Sequence, residues 1–158
     1  MPSRRRSRQT ALQVLFQWDA RHLPPESALS ADCALEGFYS SLYSEESEAR
    51  PERDPFTDAL VRAAVAKIAV IDDLITRHAE HWRIERMPAV DRNILRLAVC
   101  EMSAFKTPAP VVIDEAIELA RRFSDERSVH FVNGVLDAIH RELDRASGSQ
   151  ASVAPGSG

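Results

Sequence analysis

An all-α fold follows from three features of the chain. Ala, Leu, Glu and Arg are plentiful, while only five of the 158 residues are Gly, a balance that favours helix. No Gly-rich turns separate runs of alternating polar and apolar residues, so the sequence carries no signal for strand hairpins. Apolar residues instead recur at three- and four-residue spacing in one segment after another, the period of a half-buried helix.

The elements can be justified in order. Ser3 or Ser7 caps a first helix expected to run to about Arg21. Ala11, Leu12, Val14, Leu15 and Trp18 form its apolar arc. The opposite face carries Arg6, Gln9, Gln13 and Gln17, with Thr10 beside them and Phe16 at the border. Arg and Gln donate to phosphates and base edges, and Phe16 offers a stacking surface. A merely solvated face with one aromatic edge fits the same pattern, and composition does not decide between them.

Pro24-Pro25 ends that helix. A second is expected from about Glu26 to Tyr43, with Leu35, Phe38, Tyr39 and Leu42 on one side and Gly37 weakening it. Ser44 to Pro55 is acidic and without period, so it reads as an exposed loop. Asp54 followed by Pro55 marks a helix start, and one helix is expected from there to about Ala79. Its stripe is Leu60, Ala64, Ile68, Ile71 and Ile75, widened by Val61 and Val65. His78 and His81 are three apart, but no acidic or Cys partner stands at ligand spacing. They read as decoration of a helix end, not as metal ligands.

Pro88 opens the next helix, with Val90, Ile94, Leu97 and Ala98 inward and Leu95, Met102 and Phe105 extending the stripe. Asp91 falls in its first turn, where an acid favours the helix dipole. Thr107-Pro108-Ala109-Pro110 breaks the chain before two closing helices. One places Val112, Ala116, Leu119, Ala120 and Phe123 on a single face. The other lines up Phe131, Val135, Leu136, Ile139 and Leu143. Asn133 and Gly134 are expected to be architectural. Gly inside a helix costs about 1 kcal/mol against Ala, so close approach by a neighbouring backbone is the expected compensation, with a kink or cap as the alternative. The sequence thus divides into a helical domain over residues 1–143 and a disordered tail over 144–158.

Hydrophobic content of 44% and charge content of 28% are ordinary for a soluble globular chain. No uncharged apolar run approaches the ~18 residues of a membrane span. No apolar segment of secretory type follows the N-terminal arginines. Cys33 and Cys100 form no metal-type cluster or disulfide framework and are expected to pack as small hydrophobes. A reduced, cytoplasmic compartment follows. The net charge of −4 is unevenly placed: Arg4, Arg5, Arg6 and Arg8 crowd the first ten residues, whereas nine acids lie between Glu26 and Asp58.

No nucleotide loop, zinc motif or nucleophile triad appears. Glu101, Asp114, Glu115 and Glu118 stand in helical sequence, where acids ordinarily face solvent or cap a terminus, and no spacing brings them together. The chain reads as a binding protein, with no enzyme activity, cofactor or metal expected.

Four blocks carry a resemblance. Arg4-Arg5-Arg6-Ser7-Arg8 leading into Ala11-Leu12-Gln13-Val14-Leu15-Phe16-Gln17-Trp18 resembles the N-terminus of the NusB family of bacterial transcription antitermination factors. Val90-Asp91-Arg92-Asn93-Ile94-Leu95-Arg96-Leu97-Ala98, Asp114-Glu115-Ala116-Ile117-Glu118-Leu119-Ala120 and Phe131-Val132-Asn133-Gly134-Val135-Leu136-Asp137 are similar to the remaining blocks, in the same order. The resemblance spans about residues 4 to 143.

It implies two packed helical subdomains around one continuous core. It also implies pairing with NusE, a small-subunit ribosomal protein, on the single-stranded boxA element of ribosomal RNA transcripts, within an antitermination complex on RNA polymerase. RNA contacts are then expected from Arg4, Arg5, Arg6, Arg8 and Gln9, with Gln13 on the same face. Phe16 stands where the family commonly has tyrosine; with Glu85 and Asp91 it is expected near the NusE contact. The loop Ser124 to Ser128 lies near the RNA path in the family, and Arg127 there either reaches a phosphate or is simply solvated. Two other functions fit the same fold. NusB-like domains are also fused to ribosomal RNA cytosine methyltransferases, although no catalytic domain follows here, and a homodimer would mask the arginine surface.

Overall fold

The computed structural model describes residues 3–21, 28–42, 52–80 and 82–152, apart from the side chains at 28–30 and 148–152. Among these residues the regular structure is entirely helical: α1 (Arg4–Ala20), α2 (Ala28–Ser41), α3 (Pro55–Ala66), α4 (Ile68–His78), a 3-10 turn (Ile84–Arg86), α5 (Ala89–Ala104), α6 (Ala109–Phe123) and α7 (Glu126–Ser152). The Pro24-Pro25 break, the loop from Ser44 to residue 51, and His81 lie outside the described residues.

Helix α1 starts where its capping residue predicts. The Ser3 side chain accepts from the Arg6 amide, satisfying one of the free N–H groups of the first turn. Its apolar arc, Ala11, Leu12, Val14, Leu15 and Trp18, is buried. In α2 the buried positions are Ala31, Ala34, Leu35 and Phe38, a spacing that turns Cys33 outward; it is exposed rather than packed, and so is Leu42 beyond the helix end.

The single helix expected from Asp54 to Ala79 is two. Asp54 caps α3 through the Phe56 amide, but the regular run is interrupted at Lys67, whose φ of −110° and ψ of 19° are not helical. The interruption serves packing: α3 lies against α1 and α2, while α4 turns to meet α7. Two buried stripes result, one around Leu60, Val61 and Ala64 and one around Ile68, Ile71 and Ile75.

Helix α5 is the axis of the molecule. It touches α1, α3, α4, α6 and α7, and every residue from Asn93 to Glu101 is buried. One core cluster runs through all seven helices, so the α1–α3 group and the α4–α7 group share a continuous interior. At the end of α5 the chain reverses through Lys106, which holds a positive φ of 54° at the position where helices favour glycine. Prolines 108 and 110 then open α6.

Burying α5 on all sides requires its polar residues to find partners. At its N-terminal end Arg92 donates to Asp19 of α1 at 2.6 and 2.9 Å, and Asn93 donates to the same carboxylate at 3.1 Å. Arg96 pairs with Asp72 of α4 at 2.8 and 2.9 Å and approaches Asp19 at 3.3 Å. Burial alone would raise the Asp19 carboxyl, but the hydrogen bonds from Arg92 and Asn93 and the charge of Arg96 outweigh it and hold the group below its usual range. This cluster joins α1, α4 and α5.

Three expectations for the closing helices need correction. Phe123 is the last residue of α6 and is exposed, lying beneath the Arg122 guanidinium. Gly134 and Asn133 face outward, and a Cβ built on Gly134 would meet nothing within 4 Å. Among the described residues no neighbour approaches Gly134, so the close backbone approach expected to compensate for it is absent. Finally, the segment after Asp144 extends α7 to Ser152. Adding a residue to a formed helix gains one hydrogen bond without repeating the unfavourable nucleation step, so a helix can outlast its apolar stripe.

Candidate nucleic-acid interface

The first turns of α1 carry four arginines, and their surroundings differ. The turn is positioned by Ser7, which is buried and donates to Asp54 at the head of α3. Thr57 closes the contact, donating to Asp54 at 2.9 Å and lying 3.1 Å from the Ser7 carbonyl oxygen. Burial works to raise the Asp54 carboxyl, yet the bonds from Ser7, Thr57 and the Phe56 amide together hold it below its ordinary value.

With Ser7 pinned, helical geometry aims the rest. Arg4, one turn before Ser7, lies over the Phe56 ring with its guanidinium carbon 3.9 Å from the centroid. Arg8 turns inward to Glu101 of α5, donating at 2.8, 3.0 and 3.1 Å; the two side chains are only 12% and 3% exposed. Arg5 reaches Glu115 of α6 at 3.1 and 3.2 Å but keeps 60% exposure. The side-chain hydrogen bond and the charge of Glu115 raise the Arg5 pKa further. Arg6 is exposed, with no acidic partner among the described residues. The carboxylates that sequence spacing left unconnected, Glu101 and Glu115, therefore converge on the arginines. Glu101 gave one legible signal, a charge ending the otherwise apolar run of α5, because an acid in a buried helix must be paired.

Gln13 and Phe16 are exposed and Gln9 and Gln17 half-buried, and with Arg6 they form a polar strip along the outer side of α1. The remaining predicted residues lie elsewhere. Arg8 meets the C-terminal part of α5 and Asp19 its N-terminal part, so the two helices run antiparallel. Asp91 is at that second end, about 15 Å along the axis from Glu101 at 1.5 Å per residue.

Asp91 is 3% exposed. It accepts from Ser124 at 3.0 Å and Ser128 at 2.7 Å, fixing the loop between α6 and α7. A carboxylate so placed holds that loop. Glu85 is exposed in the 3-10 turn. Asp125 caps α7 through the Ser128 amide at 2.9 Å, and that hydrogen bond, foremost, lowers its pKa. Around this loop opens a cavity of about 440 Å³ whose lining includes Trp82, Met87, Asp91, Arg127 and Phe131. Trp82 and Phe131 meet edge to face at 6.5 Å. The arginine end and the Arg127 cavity are thus two separate surfaces, one beside each end of α5.

Among the described residues no three His, Cys, Asp or Glu side chains are grouped to hold a metal, and no helix is long and apolar enough to cross a membrane.

The NusB family model matches residues 5–141. A transcription antitermination protein NusB of Solibacter usitatus is 62% identical over 153 residues, covering 97% of this chain and 99% of that protein. The solved structure of NusB from T. maritima superposes with a TM-score of 0.72 at 37% identity, over 89% of this chain and 92% of the other. A crystal structure of the antitermination factors NusB and NusE in complex with dsRNA contains a chain with a TM-score of 0.69 at 31% identity, over 88% and 96%.

Proposed function

The chain belongs to the NusB family, and from that premise we propose that it is a transcription antitermination factor which binds ribosomal RNA transcripts at boxA elements together with NusE. It acts by binding and not by catalysis, in the cytoplasm where transcripts emerge, as part of an antitermination complex on RNA polymerase. The observation that carries the RNA assignment is the arginine end of α1: three exposed guanidiniums in the first turn, continued by the strip of Arg6, Gln9, Gln13, Phe16 and Gln17.

The residues divide their work by exposure. Arg4, Arg5 and Arg6 supply phosphate contacts, and Arg8 holds the helix against Glu101 rather than meeting RNA. Three phosphate contacts predict a log–log salt slope of about −2 for single-stranded RNA, at about −0.7 per phosphate; four would give about −3. Gln9 and Gln13 reach base edges, and Phe16 and Glu85 face the ribosomal partner. Arg127, in the separate cavity at the other end of α5, meets RNA that continues past α1. Because the related NusB–NusE complex holds double-stranded RNA, strandedness is itself a variable of the test.

The decisive experiment titrates a fluorescent boxA RNA, single- or double-stranded, with the chain alone and with NusE across a salt series. A scrambled RNA and an Arg5→Ala, Arg6→Ala variant run alongside. The reading requires NusE-dependent binding that prefers boxA, weakens in the variant and shows a slope near −2. Equal affinity for scrambled RNA, or indifference to NusE and the arginines, refutes it. Light scattering in the same buffers tests the masked homodimer.

A further inference from the structure

Of the four arginines at the start of α1, only Arg4 is held by an aromatic ring as its closest partner. Arg5 and Arg8 are turned toward carboxylates, which occupy their donor edges. Arg4 has no carboxylate partner among the described residues; its guanidinium rests 3.9 Å above the Phe56 centroid while the residue stays exposed. Phe56 is half-buried and braced edge to face by Phe105, with centroids 5.9 Å apart and planes at 72°. The bond from Ser7 to Asp54, two residues before Phe56, fixes the register that puts one above the other. Arg4 is therefore a weakly hydrated planar cation held in place on one side and open on the other, with its N–H groups unoccupied.

We propose that Arg4 is a base-stacking platform. One unpaired nucleobase of the bound RNA lies on the outer face of its guanidinium, making a layered stack of base, guanidinium and Phe56 ring, while the guanidinium edge donates to the adjacent phosphate. Arginine planes are among the surfaces on which proteins stack the splayed bases of single strands. The proposal rests on the RNA-binding reading above and adds to it a subsite with a defined ligand: an unpaired base, whose identity the stack does not read because every base has a π-face. Phe56, on α3, becomes a positioning residue for RNA although it touches none.

The test separates stacking from charge. A boxA RNA carrying one abasic nucleotide, moved through successive positions, is titrated in the presence of NusE against the wild-type chain, Arg4→Lys and, as control, Arg6→Lys. Lysine keeps the charge and loses the plane. At one position the missing base should weaken wild-type binding about ten-fold, and this penalty should fall below about two-fold in Arg4→Lys but persist in Arg6→Lys. Wild type and Arg4→Lys should share one salt slope. Phe56→Leu, checked for folding by circular dichroism and melting, should lose the same penalty with all four arginines intact. An abasic penalty equal in wild type and Arg4→Lys at every position overturns the stack and leaves the RNA-binding reading standing. Absence of any RNA binding by the wild-type chain with NusE overturns both.

Discussion

Helices α1 and α5 are joined at both ends by arginine and carboxylate, and the two ends are built differently. At one, Asp19, Asp72, Arg92, Asn93 and Arg96 form a closed cluster in which the arginine side chains are 16% and 8% exposed. At the other, Glu101 and Glu115 receive Arg8 and Arg5, and exposure rises from 12% for the first to 60% for the second. The same pair of functional groups holds the fold together where the arginine is largely buried, as at Arg96 and Arg8. It remains exchangeable where water reaches it, because a solvated ion pair is screened and only weakly held. Arg5, at 60% exposure, is open to a competing anion, whereas Arg96, at 8%, is shielded from one.

The largest effect that would break this contrast is at Arg96. Arg96→Met leaves Asp72 and Asp19 without their shared cation and should cost about 3–5 kcal/mol in urea unfolding, with RNA affinity of the folded protein unchanged. A loss under 1 kcal/mol would mean that the closed cluster is as exchangeable as the open one. Next comes Arg8→Met, which abandons Glu101 in the interior. It should cost about 2–3 kcal/mol while leaving the salt slope of RNA binding unaltered; a slope reduced by about 0.7 would return Arg8 to the RNA-contact set.

Acid should act on both ends. The Asp19 and Asp54 carboxyls lie below their ordinary values in the fold, so the unfolded chain takes up their protons first. Their stabilisation is complete above the ordinary carboxylate range and is lost as the pH falls through their folded-state values. Asp54→Ala, which removes the α3 cap and the anchor of Ser7, should cost about 1–2 kcal/mol at neutral pH and flatten the acid limb of the stability curve.

Two smaller effects sharpen the picture away from the clusters. Gly134→Ala should stabilise the chain by up to about 1 kcal/mol, since open space surrounds the position; destabilisation would reveal a neighbour there. Cys33 should react readily with a maleimide in the native protein. Cys100, buried and with its thiol pushed up to about 12 chiefly by desolvation, should react only on unfolding.

How much of this was legible beforehand differs by residue. The cap at Ser3, the apolar arc of α1 and the proline-marked starts of α3, α5 and α6 depend on neighbours within a turn or two, and their local chemistry is written in order along the chain. The bend at Lys67 was not legible. No proline or glycine marks it, and its cause is the need for one segment to meet both α1 and α7. Gly134 misled because its cost is local while the expected compensation was not.

The sequence alone therefore determined that the chain is helical, where most helices begin, and that arginine is concentrated at its N-terminus, since helix period and capping act over three or four residues. Only the tertiary structure decided which arginines are free. Glu101 and Glu115 stand 93 and 110 residues from Arg8 and Arg5, and Asp91 becomes a loop anchor through residues 33 and 37 positions away. Whether a charge faces water or a buried partner is set by the packing of distant helices, and no local pattern encodes that distance.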